Sequence, residues 1–416
     1  MDAKRRINRL EKATEIILQH SRDSSFSDLI EPNKDVFRGF RLVYATDNLN
    51  SNFNGISLSE IEVTCPSITK YFAASGLLFY DDELYDQTLR QGAVAFPIDY
   101  SVSFDTQVAE AFRIYEEGKD VSNWGWFENL IDFIKSRHRS FNFDYTFYIL
   151  EDLINTYDHT NQRPFNTIRA LKRLDHLDIE QFKSNPKKPI FNESRENSGK
   201  RAADTIASFQ NSPDILSSLT RRKGLKLVLM KAMELRWLNK EDYLGNLEKL
   251  MIFCIENIGR FPKLELYFSW KLLKYGEKYR FFGHLMQPTV KAIEKLNGMS
   301  WDLYSLRHQE TMASMSKNGK FYIPFIASFD RRFKELMSAC PIRCMLIDDQ
   351  YKRLNLIFFD EYEFFQDVKK AIDTETYSKL SDPSEKLARL SVSMLSEEMD
   401  RRLKDLETNC RLIVGA

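Results

Sequence analysis

The chain has 416 residues, of which 43% are hydrophobic and 29% are charged. This composition is typical of a globular protein and excludes disorder as the main state, and the length favours two lobes or one domain with large insertions. The 60 basic and 60 acidic residues cancel, which excludes a basic field over the whole molecule, so a polyanionic partner would have to bind a local basic patch.

Residues 1–95 are predicted to form an N-terminal α+β lobe. Residues 2–20 have apolar side chains at helical spacing with charges between them, which predicts an amphipathic helix. Residues 36–51, 56–65 and 76–80 have the composition of strands. No catalytic motif is found in this lobe, so we expect the chemistry to lie farther along the chain.

A strand that ends in an acid opens the predicted core of the protein, residues 96–350. Residues 96–104 alternate apolar with smaller or polar side chains, which predicts a strand, and Asp105 follows it directly. Helical spacing then extends over residues 106–117. An aromatic-rich helical segment farther along the chain carries a second acid, Glu151. The local order is therefore strand, acid, helix, acid.

A predominantly helical insertion, about residues 165–298, is expected to interrupt this core. Residues 169–211 are polar and basic with little periodicity, which favours a linker. Residues 215–296 have helical periodicity almost throughout. Beyond the core, residues 351–416 are charged and periodic, and we predict a C-terminal helical segment there.

The core is predicted to resume after the insertion with a helix and two strands. The helix covers residues 299–315 and carries Asp302 near its start. A buried strand covers residues 321–329 and ends directly before Asp330. Residues 342–347 form a third strand-like run. A strand-end acid therefore occurs twice in the chain.

The order of these elements brings the acids together. Strands separated by helices form parallel sheets, and ligands bind outside the carboxyl ends of the strands. Asp105 and Asp330 are therefore expected at one edge of one sheet. A helix start favours the carboxylate of Asp302, and the apolar neighbours of Glu151 make an unpaired carboxylate there costly. A divalent cation removes that cost and prefers oxygen ligands.

Each of these acids also has a purely structural interpretation. The three aspartates stand at predicted helix starts, where Asp is a favoured N-cap. For Glu151, the alternatives as the helical acid are Asp144 and Glu234. If the acids are only caps, the chain is a non-catalytic helical binding or regulatory scaffold.

Four short sequences that carry the acids, VSFDTQ, YILE, WDLYSLR and IASFD, resemble in that order the motifs of the PIN-domain nucleases. The resemblance covers the chemistry-bearing parts of residues 99–347. It implies an α/β fold with a small parallel sheet flanked by helices, in which the helical insertion separates the second and third acids. It also implies that Ser328 contacts the substrate, and that four acids are catalytic and hold one or two Mg²⁺ or Mn²⁺ ions: Asp105, Glu151, Asp302 and Asp330.

The implied reaction is hydrolysis of phosphodiester bonds by a metal-activated water, with RNA preferred over DNA as the substrate. Arg307, Arg331 and Arg332 are expected to contact the substrate. A hydrolase of small nucleotides would share the site but would lack a basic groove around it. Four basic stretches are candidates to hold a phosphate backbone: Lys187–Lys188, Arg195–Arg201, Arg221–Lys226 and Arg331–Arg332.

The cellular location is predicted from the absence of membrane-spanning and signal-peptide patterns in the sequence. No apolar run is long enough to span a bilayer, and residues 1–19 lack the apolar centre of a signal peptide. We therefore expect a cytoplasmic protein with no membrane partner. The resemblance implies nucleic acid as the main partner, and a protein partner or a homo-oligomer is left open. The cysteines are few and scattered, and we expect reduced packing groups: Cys65, Cys254, Cys340, Cys344 and Cys410.

Overall fold

The computed structural model describes most of the chain, and within the described part the protein is α/β and rich in helices. The predicted class is confirmed at that level. No helix in this part of the chain is long and apolar enough to cross a membrane. The described residues are 2–21, 24–49, 53–92, 94–137, 141–158, 160–259, 261–314, 320–373, 375, 382–391 and 396–415.

The strands of the described residues form two sheets. They are β1 (Arg41–Thr46), β2 (Gly55–Ser57), β3 (Ile68–Lys70), β4 (Gly76–Tyr80), β5 (Ile98–Phe104), β6 (Phe141–Asp144), β7 (Phe321–Ala327), β8 (Ile342–Asp348) and β9 (Arg353–Phe358).

The α-helices of the described residues surround these sheets. They are α1 (Asp2–Gln19), α2 (Phe26–Ile30), α3 (Lys34–Phe37), α4 (Ser59–Thr64), α5 (Asp82–Gln91), α6 (Thr106–Glu116), α7 (Trp124–Arg137), α8 (Thr146–Asp152), α9 (Arg163–Leu174), α10 (Ile179–Ser184), α11 (Arg195–Gln210), α12 (Pro213–Leu238), α13 (Tyr243–Ile258), α14 (Lys263–Tyr275), α15 (Val290–Ser314), α16 (Arg331–Ala339), α17 (Glu361–Ala371), α18 (Pro383–Ser391) and α19 (Ser396–Val414). Short 3₁₀ helices cover Glu31–Asn33, Leu153–Tyr157, Gly276–Lys278 and Arg280–Leu285.

The first sheet has five strands in the order β2-β4-β1-β8-β9, and all of its pairs are antiparallel. Leu42 of β1 lies between Tyr80 of β4 and Leu346 of β8. The strand predicted at residues 342–347 therefore exists, but it joins the N-terminal strands instead of the parallel core. A strand that is buried along its whole length has the same pattern in either kind of sheet, so the sequence did not distinguish them.

The second sheet has four strands in the order β3-β7-β5-β6. Strands β5, β6 and β7 are parallel, and β3 pairs with β7 in the antiparallel direction. The sheet is therefore mixed, which corrects the prediction of a small, wholly parallel sheet. The parallel part alone carries the strand ends with Asp105 and Asp330, because these residues follow β5 and β7.

Three further segments differ from their predicted structure. Residues 56–65, predicted as a strand, contain the short β2 and then helix α4. Residues 169–211, predicted as a linker, contain the end of α9 and the helices α10 and α11. Residues 351–416, predicted as helical, begin with strand β9. In the 169–211 segment, Asp178 and Ser194 are N-caps that start α10 and α11 within polar sequence.

Helix α15 is fastened to the second sheet by a buried polar network. The Gln309 side chain donates to the hydroxyl of Ser103 on β5 at 2.7 Å. The hydroxyl of Tyr322 on β7 donates to the Gln309 carbonyl oxygen at 3.0 Å. Buried polar groups are costly unless they are paired, so this network fixes α15 against the face of two parallel strands. It thereby sets where the acid on α15 lies.

Candidate active site

Asp105 and Ser328 meet at the edge where β5 and β7 end. The two strands pair in parallel with Phe104 opposite Ala327. The backbone N–H of Asp105 donates to the carbonyl of Ala327 at 3.1 Å, which continues this register by one step. The predicted neighbourhood of the two strand ends is confirmed by this pairing. Asp330 follows Ser328 by two residues, so all three lie at one sheet edge.

The carboxylate of Asp105 has a structural role and an unusual electrostatic one. It caps α6 by accepting from the N–H of Val108 at 2.8 Å. Burial raises its pKa to about 7, although hydrogen bonds from Ser328 and Val108 act in the opposite direction. The negative charges of Glu151 and Asp330 raise this pKa further.

The carboxylate of Asp330 has a stronger set of donors. It caps α16, and the Arg332 guanidinium donates to it at 2.9 Å. Burial acts against its ionisation, but the side-chain and backbone hydrogen bonds from Arg332 outweigh burial and lower the pKa of Asp330. The N–H of Asp330 donates to the Ser328 hydroxyl at 3.0 Å. Ser328 therefore bridges the two strand-end acids, because it also bonds to Asp105.

Asp302 lies in the middle of α15, which begins twelve residues earlier at Val290. The predicted position near a helix start is therefore wrong, and the helix macrodipole does not stabilise this carboxylate. Burial raises the pKa of Asp302 to about 8, and the charges of Glu151, Asp330 and Asp105 add to the effect. The charge of Arg332 acts in the opposite direction. Asp302 thus faces all three other acids.

Glu151 completes the group from the last turn of α8. The Thr106 hydroxyl, at the start of α6, donates to its carboxylate. Burial nevertheless raises the pKa of Glu151 above its ordinary range, against the hydrogen bond from Thr106 and the charge of Arg222. The structure therefore brings the four predicted acids into one electrostatically coupled group, which we call the acid cluster: Asp105, Glu151, Asp302 and Asp330.

The chemistry of the acid cluster fits a hard divalent cation, because all of its donors are carboxylate oxygens. The positions of the carboxylates, in contrast, do not yet form a metal site. Among the described residues, no three His, Cys, Asp or Glu side chains converge closely enough to hold a metal ion. The carboxylates of Asp105, Glu151 and Asp330 instead accept hydrogen bonds from Val108, Thr106 and Arg332. Cation binding at this group would require the carboxylates to turn inward.

Two of the predicted substrate contacts lie away from the acid cluster. Arg307 follows Asp302 by five residues on α15, which is a rotation of about 140° around the helix. Its guanidinium pairs with Glu265 and with Glu310 and is committed to that face of the helix. Arg331 is exposed and lies over the ring of Trp126, with 5.9 Å between guanidinium carbon and ring centre. Arg332 alone of the three arginines contacts an acid of the cluster.

The alternative helical acids have partners of their own. Asp144 ends β6, and Thr146 and His308 hydrogen-bond to its carboxylate at 2.6 Å and 3.3 Å. Burial opposes its ionisation, but the hydrogen bonds from His308 and Thr146 lower its pKa. Glu234 pairs with Lys231 at 2.5 Å within α12. Glu151 is therefore the helical acid that the fold brings to the cluster.

Arg222 is the neighbour of the acid cluster that sequence reasoning did not single out. It belongs to the basic stretch Arg221–Lys226, which has four cationic side chains on one helical segment. Burial lowers its pKa to about 10, and the charge of Glu151 partly offsets that effect. The sequence predicted this stretch as a candidate to hold a phosphate backbone, but only the packing of α12 decides which of its side chains lies near the acids.

Comparison of the chain with protein-family models, with curated proteins and with solved structures finds no match.

Proposed function

We propose that this chain is a divalent-metal-dependent nuclease with a PIN-like core, which hydrolyses phosphodiester bonds in RNA. The observation that carries the proposal is the position of Asp302. Its half-buried side chain lies in mid-helix within electrostatic range of three other carboxylates, and burial together with their charges raises its pKa to about 8. Like charges held together in a low-dielectric setting destabilise a fold, and such arrangements are typical of functional sites.

Helix capping explains only part of the acid cluster. Asp105 and Asp330 do cap α6 and α16, as a scaffold protein would also require. Asp302 lies too far inside α15 to be a cap, and Glu151 belongs to the last turn of α8, where a negative charge is unfavourable. A bound cation would offset the cost of both residues, whereas helix capping accounts for neither of them.

The residues have separate roles in this proposal. Asp105, Glu151, Asp302 and Asp330 would hold one or two Mg²⁺ or Mn²⁺ ions, which lower the pKa of a bound water and stabilise negative charge on the phosphate. Ser328 fixes the relative position of Asp105 and Asp330 through its two hydrogen bonds. Arg332 is 45% exposed beside the cluster and is the arginine best placed to contact a phosphate oxygen.

The proposal is tested by removing charge from the cluster without changing its shape. Asp302→Asn and Asp330→Asn are expected to reduce Mn²⁺-dependent cleavage of a single-stranded RNA by about 100-fold or more, because each removes a ligand charge. Asp132→Asn, which changes an exposed acid on α7, is the matched control and is expected to keep full activity. Cleavage is measured from the decay of a labelled oligonucleotide with and without a chelator.

Either of two results would reject the nuclease. One is full activity in both cluster variants, and the other is a wild-type protein in which neither Mg²⁺ nor Mn²⁺ supports cleavage. The second result, together with unchanged stability on metal addition, would favour the scaffold interpretation. The cytoplasmic location and the nucleic-acid partner are part of the same proposal.

A further inference from the structure

Two cations of α12 lie together on the helix face that packs against α15. Arg222 and Lys226 are four residues apart, so their side chains point in the same direction. Both reach Asn297 on α15: the Lys226 amine donates to its side-chain oxygen at 3.4 Å, and the Arg222 guanidinium donates to its backbone oxygen at 3.1 Å. The Arg222 guanidinium also stacks on Trp301, with 4.6 Å to the ring centre.

This position is beside the acid cluster. Trp301 directly precedes Asp302 on α15, and the charge of Arg222 acts on Glu151. Two guanidinium groups therefore act on the cluster, because Arg332 contacts Asp330 and acts electrostatically on Asp302. A phosphate chain bound at the cluster would have one cation near Glu151 and another beside Asp330.

The two cations repel each other, and the charges of Glu151 on Arg222 and of Glu407 on Lys226 compensate them only in part. Burial lowers the pKa of Lys226, and the charge of Arg222 lowers it further because the two cations repel each other. The Nε atom of Arg222 is buried and has no hydrogen-bond partner among the described residues. Guanidinium groups bind phosphate with several parallel hydrogen bonds, and the half-buried side chain of Arg222 keeps part of its surface open to an anionic ligand.

The other two cations of the stretch Arg221–Lys226 have different surroundings from Arg222 and Lys226. Arg221 is exposed and lines a different groove, together with Arg307 and Glu310. Lys223 pairs with Asp400 of α19 at 2.6 Å. Of these four cations, only Arg222 acts electrostatically on an acid of the cluster, and Lys226 shares its partner Asn297.

We infer that Arg222 and Lys226 form a phosphate-binding subsite, and that the substrate is a polynucleotide strand that continues past the cleaved bond. The inference rests on the proposed nuclease function and adds to it the residues that bind the strand outside the acid cluster. A mononucleotide has no second phosphodiester group for a cation pair outside the acid cluster, so a hydrolase of small nucleotides would not need this pair.

The subsite is tested by RNA binding in the Asp302→Asn background, in which cleavage does not consume the ligand. Fluorescence anisotropy of a labelled single-stranded 12-nucleotide RNA gives the affinity, measured over a range of salt concentrations. Arg222→Met and Lys226→Met are each expected to weaken binding about fivefold and to reduce the slope of log K against log salt by about 0.7, since each removes one phosphate contact to a single strand.

Three matched variants separate charge from structure. Arg221→Met is expected to bind within about twofold of the parent, because its side chain lines the other groove. Lys226→Arg keeps the charge and is expected to keep the affinity within the same limit. Thermal unfolding of every variant shows whether a loss of binding reflects loss of the fold. Competition with adenosine 5′-monophosphate tests the substrate class, and only weak displacement of the RNA is expected.

The inference is overturned if Arg222→Met and Lys226→Met, both folded, bind RNA with the affinity and salt slope of the parent. It is also overturned if the mononucleotide displaces the RNA at concentrations comparable to the RNA itself. Failure of the nuclease proposal gives a different result: the wild type and Arg221→Met then lack Mn²⁺-dependent hydrolysis of bis(p-nitrophenyl) phosphate, whatever the RNA-binding data show.

Discussion

Asp302 and Asp105 are carboxyl groups whose protonation the fold alters strongly. Burial first, and neighbouring carboxylates second, raise their pKa values to about 8 and about 7. In the unfolded chain the ordinary pKa of 3.8 applies. Between pH 3.8 and the raised pKa values, the folded protein therefore binds more protons than the unfolded one. Their contribution to stability is therefore fully present below about pH 4 and is lost as pH rises toward about 8.

This loss of stability with rising pH gives a prediction for the metal-free protein. Asp302→Asn, which cannot ionise, is expected to be more stable than the wild type at pH 8.5 in a chelator, by about 2 °C or more in the unfolding midpoint. The advantage is expected to shrink as the pH falls toward 4.5, where the wild-type carboxyl is protonated in the folded state. Differential scanning fluorimetry at several pH values measures it. A variant less stable than the wild type at pH 8.5 would show that the Asp302 charge has a compensating partner.

At the scale of single residues, the sequence was informative where local context was sufficient. Asp105 directly follows β5 and Asp330 lies three residues after the end of β7, so both are near strand ends as predicted, although β7 ends two residues earlier than the sequence indicated. The N-cap interpretation of both aspartates is also correct, so capping and membership of the cluster coexist in the same side chains. The placement of Asp302 was wrong because α15 extends farther toward its N-terminus than the local pattern indicated.

At the scale of elements, the two faces of helix α15 make different contacts. One face presents Asp302 to the acid cluster. The other carries Arg307, whose guanidinium pairs with Glu265 on α14 and with Glu310 one turn along α15. The charges of both glutamates raise the pKa of Arg307 against the effect of burial, so this ion-pair group keeps its cation firmly protonated. Arg307 therefore joins α14 to α15, and we expect that it does not contact the substrate.

Replacement of Arg307 tests this assignment. Arg307→Met leaves two largely buried carboxylates without their common cation, and we expect a loss of about 3 kcal/mol in the free energy of unfolding. RNA affinity of the folded protein is expected to be unchanged. Lys291→Met, at an exposed position of the same helix, is the control and is expected to have a negligible effect on stability. Urea unfolding measures both variants, and a specific loss of RNA affinity in stable Arg307→Met would restore the predicted substrate contact.

At the scale of the whole molecule, the first sheet joins the two ends of the chain. Strand β1, near the N-terminus, is the central strand and pairs with β4 on one side and with β8 on the other. Arg6 of α1 donates two hydrogen bonds of 3.0 Å to Asp348 at the end of β8. Arg41 of β1 pairs with Asp349 just beyond it. The predicted N-terminal lobe of residues 1–95 thus shares its sheet with residues from the C-terminal part.

This topology predicts how the chain responds to division. A fragment of residues 1–95 is expected to lack a cooperative unfolding transition, because β1 then exposes an apolar edge that β8 covers in the intact chain. The control is the full chain with a protease site inserted after the exposed Gly92, which is expected to stay folded once cut. Circular dichroism during heating compares the two. A cooperative transition in the isolated fragment would establish residues 1–95 as an independent lobe.

The sequence by itself determined the α/β class, most helices, the strand-end positions of Asp105 and Asp330, and the set of four acids that the fold brings together. These features follow from apolar periodicity and from short-range order along the chain, which depend on neighbouring residues. Only the tertiary structure decided the mixed sheet, the membership of β8, the orientation of Arg307 away from the acids and that of Arg222 toward them. Strand pairing and helix rotation depend on packing between segments that are distant in the sequence. The apolar pattern of one segment therefore does not show which other segment packs against it.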